Sequence, residues 1–333
     1  MCGIAGVIDH RAADEKVHLL RRMLGLIRHR GPDSFGIYID EKAGLGSARL
    51  SILDLAGGDQ PIHNEDRTVW IVYNGEVFNY PDLRAELERN GHRFYTKTDT
   101  EVLVHLYEDL GPEFLSKLNG QFAFAIWDSR EQQLMLARDR MGIRPLFYHL
   151  ENGRLLFGSE IKTIFAEPSV SREINLQTLS DIFTCWSPLG DATAFRNVRQ
   201  LLPGHYALYR EGRMKTRPYW RLSFSGTDNG ERPFEAYREE LIALLYDATE
   251  IRLRADVPVG AYLSGGLDST YVTALVKKHF NNRLRTFSVS FSDEKFDEAP
   301  FQLKAVDALQ TDHRMIRCTE KDIGENLPNV IWH

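Results

Sequence analysis

The chain has 333 residues, 43% of them hydrophobic and 26% charged, with a formal net charge of −6. That length exceeds one ordinary core and predicts two domains. No apolar run approaches the roughly 20 residues that cross a bilayer, no basic-then-apolar leader opens the chain, and bases interspersed with acids leave no footprint for nucleic acid. A soluble, cytoplasmic protein with no nucleic-acid or membrane partner is therefore expected.

In chain order, GIAGVI reads as a short apolar strand, and residues 17–27 carry Leu20, Met23, Leu24 and Ile27 at helical spacing. Strands are predicted over 34–39, 45–50 and 68–73. A helix follows over 80–90, with Pro81 suited to its first turn and Gly91 to its end, and another over 100–110. In GQFAFAIWD, Phe122, Phe124 and Ile126 alternate with Ala123, Ala125 and Trp127, the pattern of a strand buried on both faces. Short strands continue to about residue 220, and strands with helices outside them suggest stacked sheets in a layered sandwich. Residues 221–232 are polar and glycine-containing, as in a linker. The rhythm then changes: helix 234–254, strand PVGAYL, helix 268–280, strand RTFSVSF, helix 297–309 and strand HRMIRC. Such alternation predicts a parallel, doubly wound sheet. No internal repeat or low-complexity tract occurs.

The three cysteines, Cys2, Cys185 and Cys318, are far apart and odd in number, so free thiols in a reducing compartment are expected. Cys185 and Cys318 read as buried packing. The eleven histidines show no paired spacing with each other or with cysteine, so no structural metal is expected. Cys2 differs in kind. Removal of Met1 gives it a free α-amine beside its own thiol, and such a nucleophile needs no separate histidine as base. With reference values of about 8.5 for the thiol and about 7.7–8.0 for the amine, proton transfer within the residue is nearly thermoneutral. Gly3 keeps the space behind the nucleophile open. The bland alternative is a small core hydrophobe.

MCGIAG, RHRGPD (28–33), ARLSILD (48–54), YNGEVFN (73–79) and TDTE (98–101) occur in that order. Singly they are weak: RGPD is a good turn, and Asn-Gly in YNGE suits a hairpin tip. Together they resemble the class II, N-terminal-nucleophile glutamine amidotransferases. The resemblance implies an oxyanion hole made by the Asn74 side-chain amide and the Gly75 backbone N–H. It implies that Arg49 grips the glutamine α-carboxylate with its planar fork. Asp99 and Glu76 would face the α-ammonium, and the backbone of Arg49, Leu50, Ser51, Ile52 and Leu53 would line the pocket. Cys2 would attack the side-chain amide, ammonia would leave, and water would hydrolyse the thioester.

YLSGGLDST (262–270) lies where a strand meets a helix, a place that favours anions. It lacks the Gly-Lys-Ser/Thr ending of a Walker loop and is otherwise a glycine-rich turn. SGGLDS resembles the pyrophosphate loop of enzymes that cleave ATP to AMP and pyrophosphate. That implies Ser264, Gly265, Gly266 and Ser269 around the phosphates, Asp268 on Mg²⁺, and Leu263 and Val289 flanking adenine. With DVPVGAYLSGGLDS and FDEA (296–299), essentially the whole chain resembles the glutamine-hydrolysing asparagine synthetase family, in which Asp297 also approaches the pyrophosphate.

The implied architecture is a four-layer αββα N-terminal-nucleophile domain (2–220), a linker (221–232) and the first part of an α/β doubly wound, adenine-nucleotide α-hydrolase-like domain (233–333). The implied ligands are glutamine, ATP, Mg²⁺ and aspartate or another carboxylate acceptor, and a homodimer is a candidate assembly. Aspartate would be activated as an acyl-adenylate and amidated by ammonia from the glutaminase. Two other functions remain open: a paralogous amidotransferase acting on another carboxylate, and a glutaminase-only or regulatory remnant. The family's second signature, of SGxGxDE type, and a later lysine do not occur before NVIWH. An N-terminal piece of a longer protein is the expectation, because a doubly wound domain stopped after a few strands leaves apolar faces uncovered. In LQTDH, Gln310 stands where the family usually has glycine, a position expected to be tolerant. WSPLG and QLLPGHYALY resemble the segment joining the two sites but also read as a turn and a core strand. RDRMGIRPLFY (138–148) is read as positioning rather than chemical.

Overall fold

Strands and helices of the first unit form four layers, and the alternation in GQFAFAIWD shows how. In chain order the strands are β1 (Gly3–Ile8), β2 (Ser34–Ile39), β3 (Ala43–Arg49), β4 (Ile62–His63), β5 (Val69–Val77) and β6 (Gly120–Asp128). Then come β7 (Gln133–Arg138), β8 (Phe147–Glu151), β9 (Arg154–Gly158), β10 (Arg199–Gln200), β11 (His205–Arg210) and β12 (Arg213–Pro218). The helices are α1 (Ala13–Leu26), α2 (Tyr80–Arg89), α3 (Thr100–Leu110), α4 (Ile161–Ile164) and α5 (Leu176–Cys185). The structure is a computed structural model that describes residues 2–224, 232–281 and 283–333, and the chain divides into two compact units, residues 1–223 and 224–333.

One antiparallel six-stranded sheet has the order β10-β8-β9-β1-β3-β2 and the other β12-β11-β7-β6-β5-β4. Phe122, Phe124 and Ile126 of β6 face outward into a core shared with Leu83 and Leu87 of α2 and Val102, Leu103 and Leu106 of α3. Ala123, Ala125 and Trp127 face the opposite way, into the layer between the sheets, where they meet Ile4, Ile8 and Leu45. Ala5 and Val7 of β1 point the other way again, onto Leu20, Met23 and Leu24 of α1 and Ile164 of α4. Three cores between four layers give the αββα order expected.

Several elements differ from expectation for local reasons. Helix α1 starts at Ala13 because Lys16, polar in pattern, is buried and donates through Nζ to the carbonyls of Asp40 and Glu41. Strand β5 runs on to Val77, so Asn74 and Gly75 lie in mid-strand opposite Ala123 and Phe122 rather than at a hairpin tip. Two helices, α4 and α5, occupy a stretch expected to hold only short strands; Asn175 caps α5, accepting from the Thr178 N–H at 3.3 Å. The expected burial of Cys185 is wrong: it ends α5 exposed beside Phe183 and Trp186, because that helix buries only Thr178. Cys318 is half-buried.

In the second unit, α6 (Phe234–Ile251), β13 (Gly260–Tyr262), α7 (Leu267–Leu275), β14 (Arg285–Phe291), α8 (Ala299–Leu309), β15 (Asp312–Cys318) and α9 (Glu320–Trp332) follow in order. The three strands are parallel, β13-β14-β15. Along β14, Thr286, Ser288 and Ser290 are buried while Phe287 and Val289 are exposed. Helix α9, unanticipated, opens with a reciprocal capping box between Thr319 and Asp322 and continues past Pro328. Gln310 ends α8 at φ 50° and ψ 53°, so the position is conformationally costly rather than neutral for a side chain, by about 1 kcal/mol; glycine is at ease there. Of the expected linker, residues 225–231 lie outside the described residues. No described helix is long and apolar enough to cross a membrane.

Trp127 is fully buried between the sheets and its Nε1 donates to Asp40 Oδ2. Trp127→Ala is therefore expected to cost about 3–5 kcal/mol in urea unfolding; a loss below 1 kcal/mol, within the range of surface substitutions, would contradict the inter-sheet core.

Candidate active site

Cys2 precedes β1, which is hydrogen-bonded on both sides, to β3 and β9. Its thiol donates to the Leu50 carbonyl at 3.6 Å and Sγ accepts from the Leu50 N–H at 3.4 Å. Arg30 Nε donates to the Cys2 carbonyl at 3.2 Å, and Arg30 Nη1 is tied to Glu160 Oε1 at 3.1 Å. Glu160 also holds His29 and Lys162, each at 2.8 Å. The RHRGPD turn is thus an anchor for the residue at the start of β1. Gly31 is required in it, since a Cβ there would stand 2.1 Å from the Ala48 carbonyl oxygen. Burial pushes the Cys2 thiol up, only partly offset by the Leu50 N–H. Burial therefore favours the protonated thiol.

A pocket opens at this thiol. It is lined by Cys2, Arg49, Leu50, Ile52, Leu53, Asn74, Gly75, Glu76 and Asp99, all singled out from sequence. Ser51 is not in the lining; its N–H donates to Asp33 Oδ2 at 2.8 Å. Gly58, Gln60, Tyr73, Thr98, Thr100 and Arg144 line the pocket without having been anticipated. Arg49 is buried, its Nη2 donating to the carbonyls of Leu53 (2.9 Å) and Asp54 (2.8 Å) and its Nη1 to Asp59 Oδ1 (3.1 Å). A side chain at Gly58 would collide with it, the Cβ lying 2.4 Å from Nη2.

Asn74 is 1% exposed, and neither its Oδ1 nor its Nδ2 has a hydrogen-bond partner. Leaving a buried polar group unpaired costs about 1–3 kcal/mol, so an amide kept in that state beside a nucleophile is suited to a ligand's oxygen. Gly75 cannot be replaced without disturbing β6, because its Cβ would lie 2.3 Å from the Gln121 carbonyl oxygen.

Asp99 sits at the N-terminus of α3 with Oδ2 accepting from the Tyr73 hydroxyl at 2.9 Å and the Val77 N–H at 2.8 Å. Desolvation lifts it to about 6 despite those bonds. Glu101, fully buried, accepts from the N–H groups of Tyr95 and Thr96 and so folds the turn that delivers Asp99. The segment 138–148 is clamped by Asp139, which accepts from the N–H groups of Phe122, Met141, Ile143 and Arg144, consistent with a positioning part.

In the second unit the SGGLDS loop joins β13 to α7. Gly265 has φ +90°, and the Ser264 and Ser269 hydroxyls lie 2.9 Å apart. Helix α7 begins at Leu267, and its N-cap, Gly266, offers no side-chain cap. Asp268 and Val289 are exposed. Leu263 is fully buried, its N–H donates to the Phe287 carbonyl and its carbonyl accepts from the Ser288 hydroxyl, so its side chain does not face an open adenine site. Asp297 Oδ1 accepts from the N–H of Phe291 at 3.1 Å and of Ala299 at 3.3 Å.

Residues 1–220 match the glutamine amidotransferase domain family and residues 240–333 the asparagine synthase family. A putative glutamine-hydrolysing asparagine synthetase 2 of Methanocaldococcus jannaschii is 33% identical over 360 residues, covering 100% of this chain and 68% of the relative. The chain belongs to the glutamine-hydrolysing asparagine synthetase family. Glutamine-hydrolysing asparagine synthetase 1 of Bacillus subtilis is 36% identical over 338 residues, covering 100% of this chain and 52% of its own length. The amidase chyE of Penicillium rubens is 33% identical over 361 residues, covering 100% and 53%. The chain thus spans about half the length of most of these relatives. Among solved structures, the allosteric regulatory enzyme of purine biosynthesis superposes with a TM-score of 0.51 at 16% identity, over 96% of this chain and 80% of the other, a likeness of fold.

Asp99 also gives a stability prediction. Its folded value of about 6 exceeds the ordinary 3.8, so ionisation costs stability above about pH 6 and the cost fades as pH falls toward 3.8. In Asp99→Asn a single amide oxygen accepts both existing bonds. The variant should be more stable than the parent at pH 7 by up to about 3 kcal/mol, with the gain vanishing near pH 4 in urea unfolding; a gain independent of pH would contradict the assignment.

Proposed function

We propose that the first unit hydrolyses glutamine at Cys2 and that the ammonia amidates aspartate at the expense of ATP, as in a glutamine-dependent asparagine synthetase. The unpartnered amide of Asn74 beside the Cys2 thiol carries this reading. Once Met1 is removed, the Cys2 α-amine takes the thiol proton as sulfur attacks the side-chain amide carbon of glutamine. The C–S bond forms while Asn74 Nδ2 and the Gly75 N–H bind the developing oxyanion. The proton then passes from the α-amine to the leaving nitrogen, the C–N bond breaks, and water hydrolyses the thioester to glutamate. Because burial favours the protonated thiol, the amine acts as the bond forms rather than before it. Arg49 and Asp99, both buried and fixed by backbone and side-chain partners, are suited to the two ends of a free amino acid, with Glu76 as a second acid toward the ammonium.

The second unit fits ATP and Mg²⁺ in its residue types. Ser264, Gly265, Gly266 and Ser269, with the uncapped start of α7, would hold phosphates, with Asp297 near them. Asp268 would face Mg²⁺, and the exposed Val289 would border adenine beside the strand end that Leu263 closes. A Cβ at Gly265 would come within 3.0 Å of the Gln302 nitrogen, so the loop is built on glycine. ATP, when bound, supplies the activation that a carboxylate, a poor electrophile, requires. All three cysteines are free, which supports a cytoplasmic location. A second reading, amidation of a different carboxylate, stays open because full-chain relatives include proteins named amidases rather than asparagine synthetases.

Incubation of the full-length protein with glutamine, ATP, Mg²⁺ and aspartate should yield asparagine and AMP. AMP formed only with another acid would support the second reading, and glutamate without AMP would refute the synthetase assignment. Cys2→Ala should abolish glutamine use while synthesis from added ammonia persists; loss of both in a folded variant would contradict two separate sites. Asn74→Ala should lower glutaminase kcat by roughly 10²–10³, whereas an unchanged kcat would remove the oxyanion role.

A further inference from the structure

Away from the pocket, on the outer helical layer of the first unit, four ligand-type side chains converge from three separate segments. Glu65 lies between β4 and β5, His92 follows α2, and His105 and Glu108 share one face of α3, three residues apart. Glu65 Oε1 is 3.4 Å from His92 Nδ1, Glu65 Oε2 is 3.3 Å from His105 Nδ1, and Glu108 Oε2 is 3.3 Å from that same nitrogen. One ligand atom from each of the four lies within 4.8 Å of every other. Both imidazoles turn Nδ1 inward and Nε2 toward an outer carboxylate, His92 to Asp109 at 3.1 Å and His105 to Glu101 at 3.5 Å. The His105 side chain is fully buried and its Nε2 has no hydrogen-bond partner.

We propose that Glu65, His92, His105 and Glu108 bind a single divalent transition-metal ion of the zinc class. Ligands about 2.0–2.1 Å from a tetrahedral ion stand about 3.3–3.4 Å from one another; three of the contacts here have that spacing, two of them to different oxygens of Glu65, and all four ligand atoms lie within 4.8 Å of one another. Charge-assisted N–H···O contacts settle instead near about 2.7–2.9 Å; the three separations of 3.3–3.4 Å are longer than that, the His105–Glu108 one being a long hydrogen bond. Two imidazoles with two carboxylates suit zinc or cobalt, whereas calcium and magnesium prefer all-oxygen sets. Carboxylates on the far nitrogens would orient both rings and raise their basicity. The carboxylates are themselves fixed, Glu65 accepting from the Arg93 N–H at 2.9 Å and Glu108 from Asn64 Nδ2 at 2.7 Å, with Arg130 3.9 Å from Glu108.

The competing occupant is a proton. Burial lowers the His105 value, but the neighbouring carboxylates of Glu101, Glu108 and Glu65 outweigh it and hold the ring at about 9. A metal would replace that proton and tie the β4–β5 connection and the segment after α2 to α3, the helix whose first turn presents Asp99. No spacing rule reveals such a site, because its ligands are not paired in sequence, and the expected absence of a structural metal rested on pairing alone.

The test is titration of the chain carrying Cys2→Ala, so that the terminal thiol cannot contribute, with Co²⁺ alone and then Zn²⁺. One equivalent of Co²⁺ should give the visible absorption of tetrahedral cobalt, be displaced by Zn²⁺, and raise Tm. Glu65→Gln and His92→Gln, both at partly exposed positions, should each weaken binding at least about tenfold while retaining the far-UV spectrum. No stoichiometric binding, or binding unchanged in both variants, would overturn the proposal and leave an ion-pair cluster around protonated His105.

Discussion

The pairing of β1 with β3 on one side and β9 on the other fixes a chain end that would otherwise fray. Gly3 is opposite Ala48 and Ala5 opposite Gly158, so the strand is locked from its first residue and buried throughout. Cys2 is then held by Leu50 and Arg30 at the rim of a pocket whose other walls come from β5 and the start of α3. Both sheets are needed: one places the thiol, the other places Asn74 and Gly75. The inter-sheet core around Trp127 holds the two in register.

Around that thiol the protein retains polar groups at a cost. The Asn74 amide has no partner, Asp99 is buried and lifted to about 6, and Arg49 is buried on two carbonyls and the exposed Asp59 carboxylate. A sequence selected for stability alone would have replaced or paired them. Their retention together, facing one small space, is what a zwitterionic substrate with a side-chain amide would repay.

Much of this was legible in the sequence because the motifs carry local constraints. Phe122 to Trp127 alternate as a two-faced strand, α2 has Pro81 in its first turn as expected, and α3 spans the expected residues 100–110. RHRGPD, YNGE and TDTE each supplied a residue to one pocket or its support. What was not legible depended on distant partners. Arg30 matters through Glu160, Ser51 turns toward Asp33, and Cys185 is exposed because its helix packs little on the first unit. Helix α9 was hidden by Pro328 although its capping box was in plain sequence, and the strain at Gln310 required a backbone angle. The Glu65–His92–His105–Glu108 cluster was invisible for the same reason: three segments meet only in the folded layer.

The most direct test of the central claim is intact and peptide mass spectrometry after exposure to an electrophilic glutamine analogue. Chains beginning at Cys2 should carry one adduct, on Cys2, with glutamine protecting, while the exposed Cys185 remains unlabelled by that analogue and chains retaining Met1 remain unmodified. Equal labelling with Met1 in place, or an adduct elsewhere that glutamine does not prevent, would contradict a terminal amine and thiol acting together.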